Sequence, residues 1–229
     1  MIKAVVFDLD NTLLDFMKMK SVSINAAVEG MIKCGMQIDK TKSIKEIFHI
    51  YDNKGYEHQE VFNEFIISKI GKINYKFLAA SIVEYKKAKE ISLGLYPEVI
   101  PTLKKLQTMN LKLGIASDAP SREAWTRLYS VGLDNIFDRV VTSDETNAFK
   151  PSPAPFNLIL KYFNILPAES VMVGDWPERD LDGAKNVGMR TAFARYGASS
   201  FNEQQYDSAD VVLDHIGEIL DYIIMENNK

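Results

Sequence analysis

Two aspartates separated by one residue close the first apolar run of the chain, in Ala4-Val5-Val6-Phe7-Asp8-Leu9-Asp10-Asn11-Thr12. Carboxylates this near repel unless a cation or a proton relieves them. The pair suits a nucleophile beside a second acid that carries a proton. A helix cap beside a solvated loop acid would use the same residues. A second acidic cluster ends another apolar run, in Val171-Met172-Val173-Gly174-Asp175, with Asp180 a turn later. Such hard oxygen donors suit Mg²⁺, which binds through one or two carboxylates, water and a substrate phosphate. Asp180 at the start of a helix is the plainer alternative. Asp182 lies two residues on and reads as a solvated helix acid.

Two more positions offer complementary chemistry. Ser117 ends the run Leu113-Gly114-Ile115-Ala116, where a hydroxyl and the next backbone N–H groups can hold a phosphate oxygen. It is also an ordinary residue for a strand-to-helix turn. Lys150 precedes Pro151, which restricts the backbone before it. Its ammonium would neutralise carboxylate and phosphate charge, although a lone Lys-Pro is usually a surface loop. The four positions matter together because each falls at or after the end of an apolar run.

Those runs are the elements that must position the chemistry. Ala4–Phe7, Leu113–Ala116, Arg139–Thr142, Val171–Val173, Thr191–Ala194 and Val211–Leu213 are short, rich in Val, Ile and Phe, and mostly lack polar alternation. Strands buried on both faces of a parallel sheet have this character. Helical segments separate most of them: one from Pro97, one capped by Ser121 and ended by Gly132, one opened by Pro153 or Pro155, and one over Arg179–Val187 closed by Gly188. The expected fold is α/β, a doubly wound, Rossmann-like parallel sheet. Between the first two strands the rhythm breaks. Helices are expected over 17–33, 43–52, 58–70 and 74–91, with Val61, Phe62, Phe65 and Ile66 as one apolar set and Phe77, Ile82 and Tyr85 in another. This is too much helix for a simple crossover. The organisation predicted is a core of residues 1–15 and 96–229 with an inserted all-α domain over 16–95. The tail after Met225 is expected to fray.

Composition narrows the function classes. The chain has 229 residues, is 46% hydrophobic and 25% charged, and carries a formal net charge of −4. That is a globular composition, and its lack of basic excess argues against general nucleic-acid binding. The only cysteine, Cys34, cannot pair internally and reads as a space filler. The first apolar run stops at Asp8, too early for a signal peptide, and no run approaches the roughly 18 residues of a membrane span. A cytoplasmic location is the expectation, with no membrane partner.

Asp8-Leu9-Asp10-Asn11-Thr12, Ser117, Lys150-Pro151 and Gly174-Asp175 with Asp180 resemble, in order and separation, the four motifs of the haloacid dehalogenase superfamily. The resemblance spans nearly the whole chain, including the helical insert, which is similar to the family's first type of cap. Within the superfamily the chain looks most like small phosphatases. The resemblance implies that Asp8 attacks phosphorus and becomes an aspartyl phosphate. Asp10 then protonates the leaving oxygen and later deprotonates water, with Thr12 helping to place Asp10. It implies phosphate contacts from Asn11, Ser117, Asp118 and Lys150, and Mg²⁺ held by Asp8, Asp10, Asp175 and Asp180. An acid at position 10 favours phosphoryl transfer over dehalogenation. A sugar phosphomutase shares the same core motifs. A phosphorylatable signalling module is the reading from another class, against which stand the insert and Asp10. The cap is expected to close over the site and favour a small phosphorylated metabolite. Its candidate contacts are Phe16, Lys18, Lys20 and Asn53 to Tyr56, with Trp176 and Arg179 candidates from the core. Monomer and homodimer are both open.

Overall fold

The computed structural model describes residues 1–198 and 209–229. The chain divides into two compact units, Phe16–Leu93 and the combination of Met1–Asp15 with Gly94–Lys229.

The smaller unit contains four helices: α1 (Phe16–Lys33), α2 (Lys40–Lys54), α3 (Val61–Ile70) and α4 (Tyr75–Ser92). Ile24, Val28, Met31, Ile47, Phe62 and Phe65 form its apolar centre. Each such side chain contributes on the order of 2 kcal/mol on burial. α2 starts three residues before the predicted Ser43 because Asp39 caps it, accepting the Lys42 N–H at 2.8 Å. α3 begins late, at Val61, since His58 N–H closes a turn onto Gly55 O. A side chain at position 30 would meet Ala80 O at 3.1 Å, so Gly30 lets α1 and α4 approach closely.

The larger unit holds a six-stranded, all-parallel sheet: β1 (Ala4–Phe7), β2 (Lys112–Ser117), β3 (Arg139–Thr142), β4 (Ser170–Gly174), β5 (Arg190–Ala194) and β6 (Val211–Leu213). Their order is β3-β2-β1-β4-β5-β6. The remaining helices are α5 (Val99–Thr108), α6 (Ser121–Ser130), α7 (Ser143–Thr146), α8 (Pro153–Phe163), α9 (Asp182–Asn186) and α10 (Ile219–Asn227). The expected α/β Rossmann-like core is therefore present. β1, β2 and β4 are buried almost throughout, which explains their unbroken apolar sequences. The strand order reverses between β1 and β4, and crevices at such a point bind ligands beyond the carboxyl ends of the strands.

Several local expectations change. Gly94 and Leu95 belong to the core unit: Asp15 N–H donates to Gly94 O, and Leu14 pairs with Leu95. Pro120 rather than Ser121 occupies the cap position of α6, and the Ser121 hydroxyl faces Thr142 Oγ1 at 2.6 Å. The segment expected as one helix over Arg179–Val187 is a wide π turn, Pro177–Leu181, followed by the short α9. The tail does not fray at Met225. α10 runs to Asn227, whose side-chain amide is tied to the backbone N–H and carbonyl of Ile2. Among the described residues, no helix is long and apolar enough to cross a membrane.

Candidate active site

β1 and β4 run in register with Phe7 beside Val173, so Asp8 and Gly174-Asp175 leave adjacent strands side by side. The Asp8 N–H continues the ladder onto Val173 O at 2.8 Å. Past Asp8 the chain turns tightly. Leu13 N–H and Leu14 N–H both donate to Leu9 O, and Asn11 N–H donates to Leu14 O. Asn11 takes the left-handed conformation this turn needs, at φ 59°, which Asn tolerates better than most residues.

β4 ends at Gly174 for a steric reason. A Cβ there would fall 2.3 Å from Asp180 Oδ2. The absent side chain leaves room for the Asp180 carboxylate, which accepts the Trp176 N–H at 3.0 Å. The Asp180 N–H in turn donates to Trp176 O at 2.8 Å, so the wide turn folds Asp180 back beside Asp175. Asp8, Asp175 and Asp180 each offer an oxygen within 4.8 Å of the others.

Lys150 enters the same group from the loop before α8. Its peptide bond to Pro151 is cis. The Lys150 Nζ lies 2.5 Å from Asp8 Oδ1 and 2.6 Å from Asp180 Oδ1, and all three residues are buried. Burial, assisted by Asp180 and opposed by Lys150, pushes the Asp8 carboxyl up to about 8. Burial also raises Asp175 well above the usual carboxylate range, with repulsion from Asp8 and Asp180 adding to it. Burial alone would lower the Lys150 ammonium, but Asp180 and Asp8 hold it above the usual lysine range. Three acids against one lysine leave a shortage of positive charge in a water-poor site. Thr12 donates to Asp175 Oδ1 at 3.2 Å, and thus bears on Asp175 rather than on Asp10.

The Ser117 Oγ accepts the Ala119 N–H at 3.1 Å, which fixes the hydroxyl at the end of β2. The side chain of Asp118 is engaged within the protein, which leaves its backbone N–H, one of the N–H groups expected after Ser117, to face a phosphate. The carboxylate accepts the Lys150 N–H at 2.8 Å and Arg179 Nη1 at 3.2 Å. An anionic side chain cannot donate to a phosphate, so position 118 has only its backbone amide to offer one. Arg179 also stacks on Trp176, 4.1 Å from the ring centroid. In the helical unit, buried Lys20 donates to Tyr56 O at 2.7 Å and to Tyr85 Oη at 3.1 Å. Asp182 is exposed, as expected.

Two contributors escaped the sequence reading. Arg127, on α6, is 2% exposed and donates from Nη1 to Asp10 Oδ2 at 2.6 Å. Its signal was a charged residue among the buried positions Ala124, Arg127 and Leu128 of an amphipathic helix. Tyr196, after β5, donates to Thr12 O at 2.8 Å and packs edge-on against Tyr96. The same loop brings Gly197 against Asn11, where a Cβ would lie 1.5 Å from Asn11 O. Gly197→Ala is therefore expected to destabilise the protein by about 2 kcal/mol by overpacking. Activity should fall as well, because the loop must move Asn11 to make room. Chemical denaturation and steady-state kinetics on one preparation check both effects.

The family model for haloacid dehalogenase-like hydrolases matches residues 5–194, from β1 to the end of β5. The chain belongs to this family. As a haloacid dehalogenase-like hydrolase it is an enzyme, and it has similar relatives along its whole length. The glyceraldehyde 3-phosphate phosphatase of Pyrococcus furiosus is 33% identical over 100% of this chain and 95% of its own. That of Methanocaldococcus jannaschii is 31% identical over 97% of each chain. The crystal structure of a HAD phosphatase from Thermococcus onnurineus superposes with a TM-score of 0.70 at 27% identity, covering 97% of this chain and 98% of that one.

Proposed function

We propose that this hydrolase is a Mg²⁺-dependent phosphatase of small phosphorylated metabolites, working through a phosphoryl group carried on Asp8. Its enzyme class is phosphoric monoester hydrolase. The observation that carries the reading is the cluster of Asp8, Asp175 and Asp180 with Lys150 between two of its acids. The full-length relatives named glyceraldehyde 3-phosphate phosphatase support it and make that compound the first substrate to try.

The donor set fits magnesium. Crowded, buried carboxylates that resist joint ionisation become compatible once a divalent cation sits among them. Asp8, Asp175 and the Asp10 carbonyl would hold the ion. Asp180, whose oxygens face Lys150 and the Trp176 N–H, would back them. Bound there, Mg²⁺ supplies positive charge that offsets repulsion between carboxylate and phosphate.

The protein's own groups then divide the work. Asp8 forms a bond to phosphorus while the bond from phosphorus to the substrate oxygen breaks. Asp10 gives its proton to that oxygen as it leaves. Water next bonds to phosphorus, its proton passes to Asp10, and the bond to Asp8 breaks to release inorganic phosphate. Lys150 orients Asp8 and neutralises charge on the transferring group, with Ser117, Asn11 and backbone donors of the β2 loop assisting. The helical unit is the cap in this reading and selects the substrate.

The direct test is phosphate release from a panel that includes glyceraldehyde 3-phosphate, other sugar phosphates and phosphoglycolate, with and without Mg²⁺. Turnover of at least one small phosphate, dependent on Mg²⁺, is expected. Interconversion of sugar phosphate isomers on adding a sugar bisphosphate would instead assign a mutase. Stoichiometric labelling without turnover would assign a signalling module.

A further inference from the structure

The buried arginine of α6 carries a consequence for proton transfer. We propose that Arg127 is the positioning residue of Asp10, fixing the carboxyl group that exchanges a proton with the leaving oxygen and then with water. The proposal rests on the reading of Asp10 as that proton carrier. The guanidinium is 2% exposed, and a buried cation is costly without an anion of matching geometry. Nη1 meets Asp10 Oδ2 at 2.6 Å across 117 positions of sequence. Asp10 keeps 22% of its side chain exposed, while its other oxygen, Oδ1, is buried. The backbone of Asp10 is set by the turn after β1, but its carboxyl group still has two torsions. Holding one oxygen at Arg127 restricts both torsions and with them the range of directions open to the other oxygen.

The mount for Arg127 is equally defined. α6 begins just after the loop that carries Ser117. Its first turn is pinned to the end of β3 and the start of α7 through Ser121 Oγ to Thr142 Oγ1, and through Ser121 N–H to Asp144 Oδ2, both at 2.6 Å. The helix therefore links the placement of Asp10 to the loop that is to receive the phosphate. A proton carrier misplaced by about 1 Å loses on the order of 100-fold in rate.

Two substrates separate positioning from general structure. An alkyl phosphate needs a proton on its leaving oxygen, whereas p-nitrophenyl phosphate expels a stable phenolate without one. Rapid-quench measurement of the phosphorylation step gives the rate constant for each. Arg127→Met is expected to slow phosphorylation by the alkyl phosphate about 100-fold and by p-nitrophenyl phosphate less than about threefold. Arg127→Lys should recover part of the alkyl rate, because it keeps the charge without the planar fork. In an Asp10→Asn background Arg127→Met should add less than about twofold, since the two act as one unit. Arg127→Gln, which retains a donor, gives the same ratio of rates should the Met variant fail to fold. Equal losses with both substrates, an unchanged alkyl rate, or additive losses with Asp10→Asn would overturn the proposal. A wild-type enzyme that transfers no phosphoryl group from either substrate would count against the phosphatase reading instead.

Discussion

Asp8→Asn should abolish turnover while leaving the fold intact. The amide has nearly the shape of the carboxylate, but its oxygen is a far weaker nucleophile. Loss of a covalent nucleophile costs on the order of 10⁴-fold or more in kcat. The stability change should have the opposite sign. Burial and the neighbouring Asp180 oppose ionisation of Asp8, so a neutral amide removes one source of crowding from the metal-free protein. Loss of the partner of Lys150, 2.5 Å away, offsets part of that gain. Steady-state assay beside a metal-free thermal melt at neutral pH reads both quantities. Activity within tenfold of wild type would remove Asp8 from the nucleophile's role.

Asp175→Ala carries the second large effect and gives the crowding a pH dependence. With one of the proposed magnesium ligands gone, activity at millimolar Mg²⁺ should fall about 1,000-fold, corresponding to several kcal/mol of lost charge stabilisation. Without metal the change should be protective. The folded protein raises both Asp8 and Asp175 above their ordinary values, so the unfolded chain releases these protons at lower pH. Stability tied to these groups is complete below the ordinary carboxylate range. It is lost as pH rises through the raised values, about 8 for Asp8. Metal-free wild type should therefore melt at lower temperature at pH 8 than at pH 5, with Mg²⁺ restoring stability by binding the folded state. Asp175→Ala should flatten the metal-free pH dependence and lose the response to Mg²⁺. Melts of both proteins across that range, in chelator and in Mg²⁺, check it, and an unchanged Mg²⁺ response would take Asp175 out of the ligand set.

The same residues explain what the sequence made visible. Asp8, Ser117 and Asp175 are legible because fully buried parallel strands leave unbroken apolar runs, and the first polar residue after such a run marks the ligand-binding edge. The helical insert is legible because Val61, Phe62, Phe65 and Ile66 keep a helical period. Arg127 is not, because its meaning lies in a partner 117 positions away, and local spacing shows only a charge in the wrong stripe. The turn after β4 is missed for a related reason. Asp180 bonds to both the N–H and the carbonyl of Trp176, and this exchange replaces the helical start at Arg179 that Asp180 suggests. The partners of the Asp118 carboxylate, Arg179 and the Lys150 N–H, are hidden for the same reason, because both lie far along the chain.

A covalent phosphoryl group on Asp8 is the step from which the other assignments follow. Quenching the enzyme in acid during turnover of a rapidly processed phosphate, reducing the acyl phosphate with borohydride and mapping the reduced residue by mass spectrometry reads that bond directly. Modification at position 8, dependent on substrate and absent from Asp8→Asn, is the expected result. Rapid phosphate release with no modification at position 8, or with the label on another residue, would contradict it.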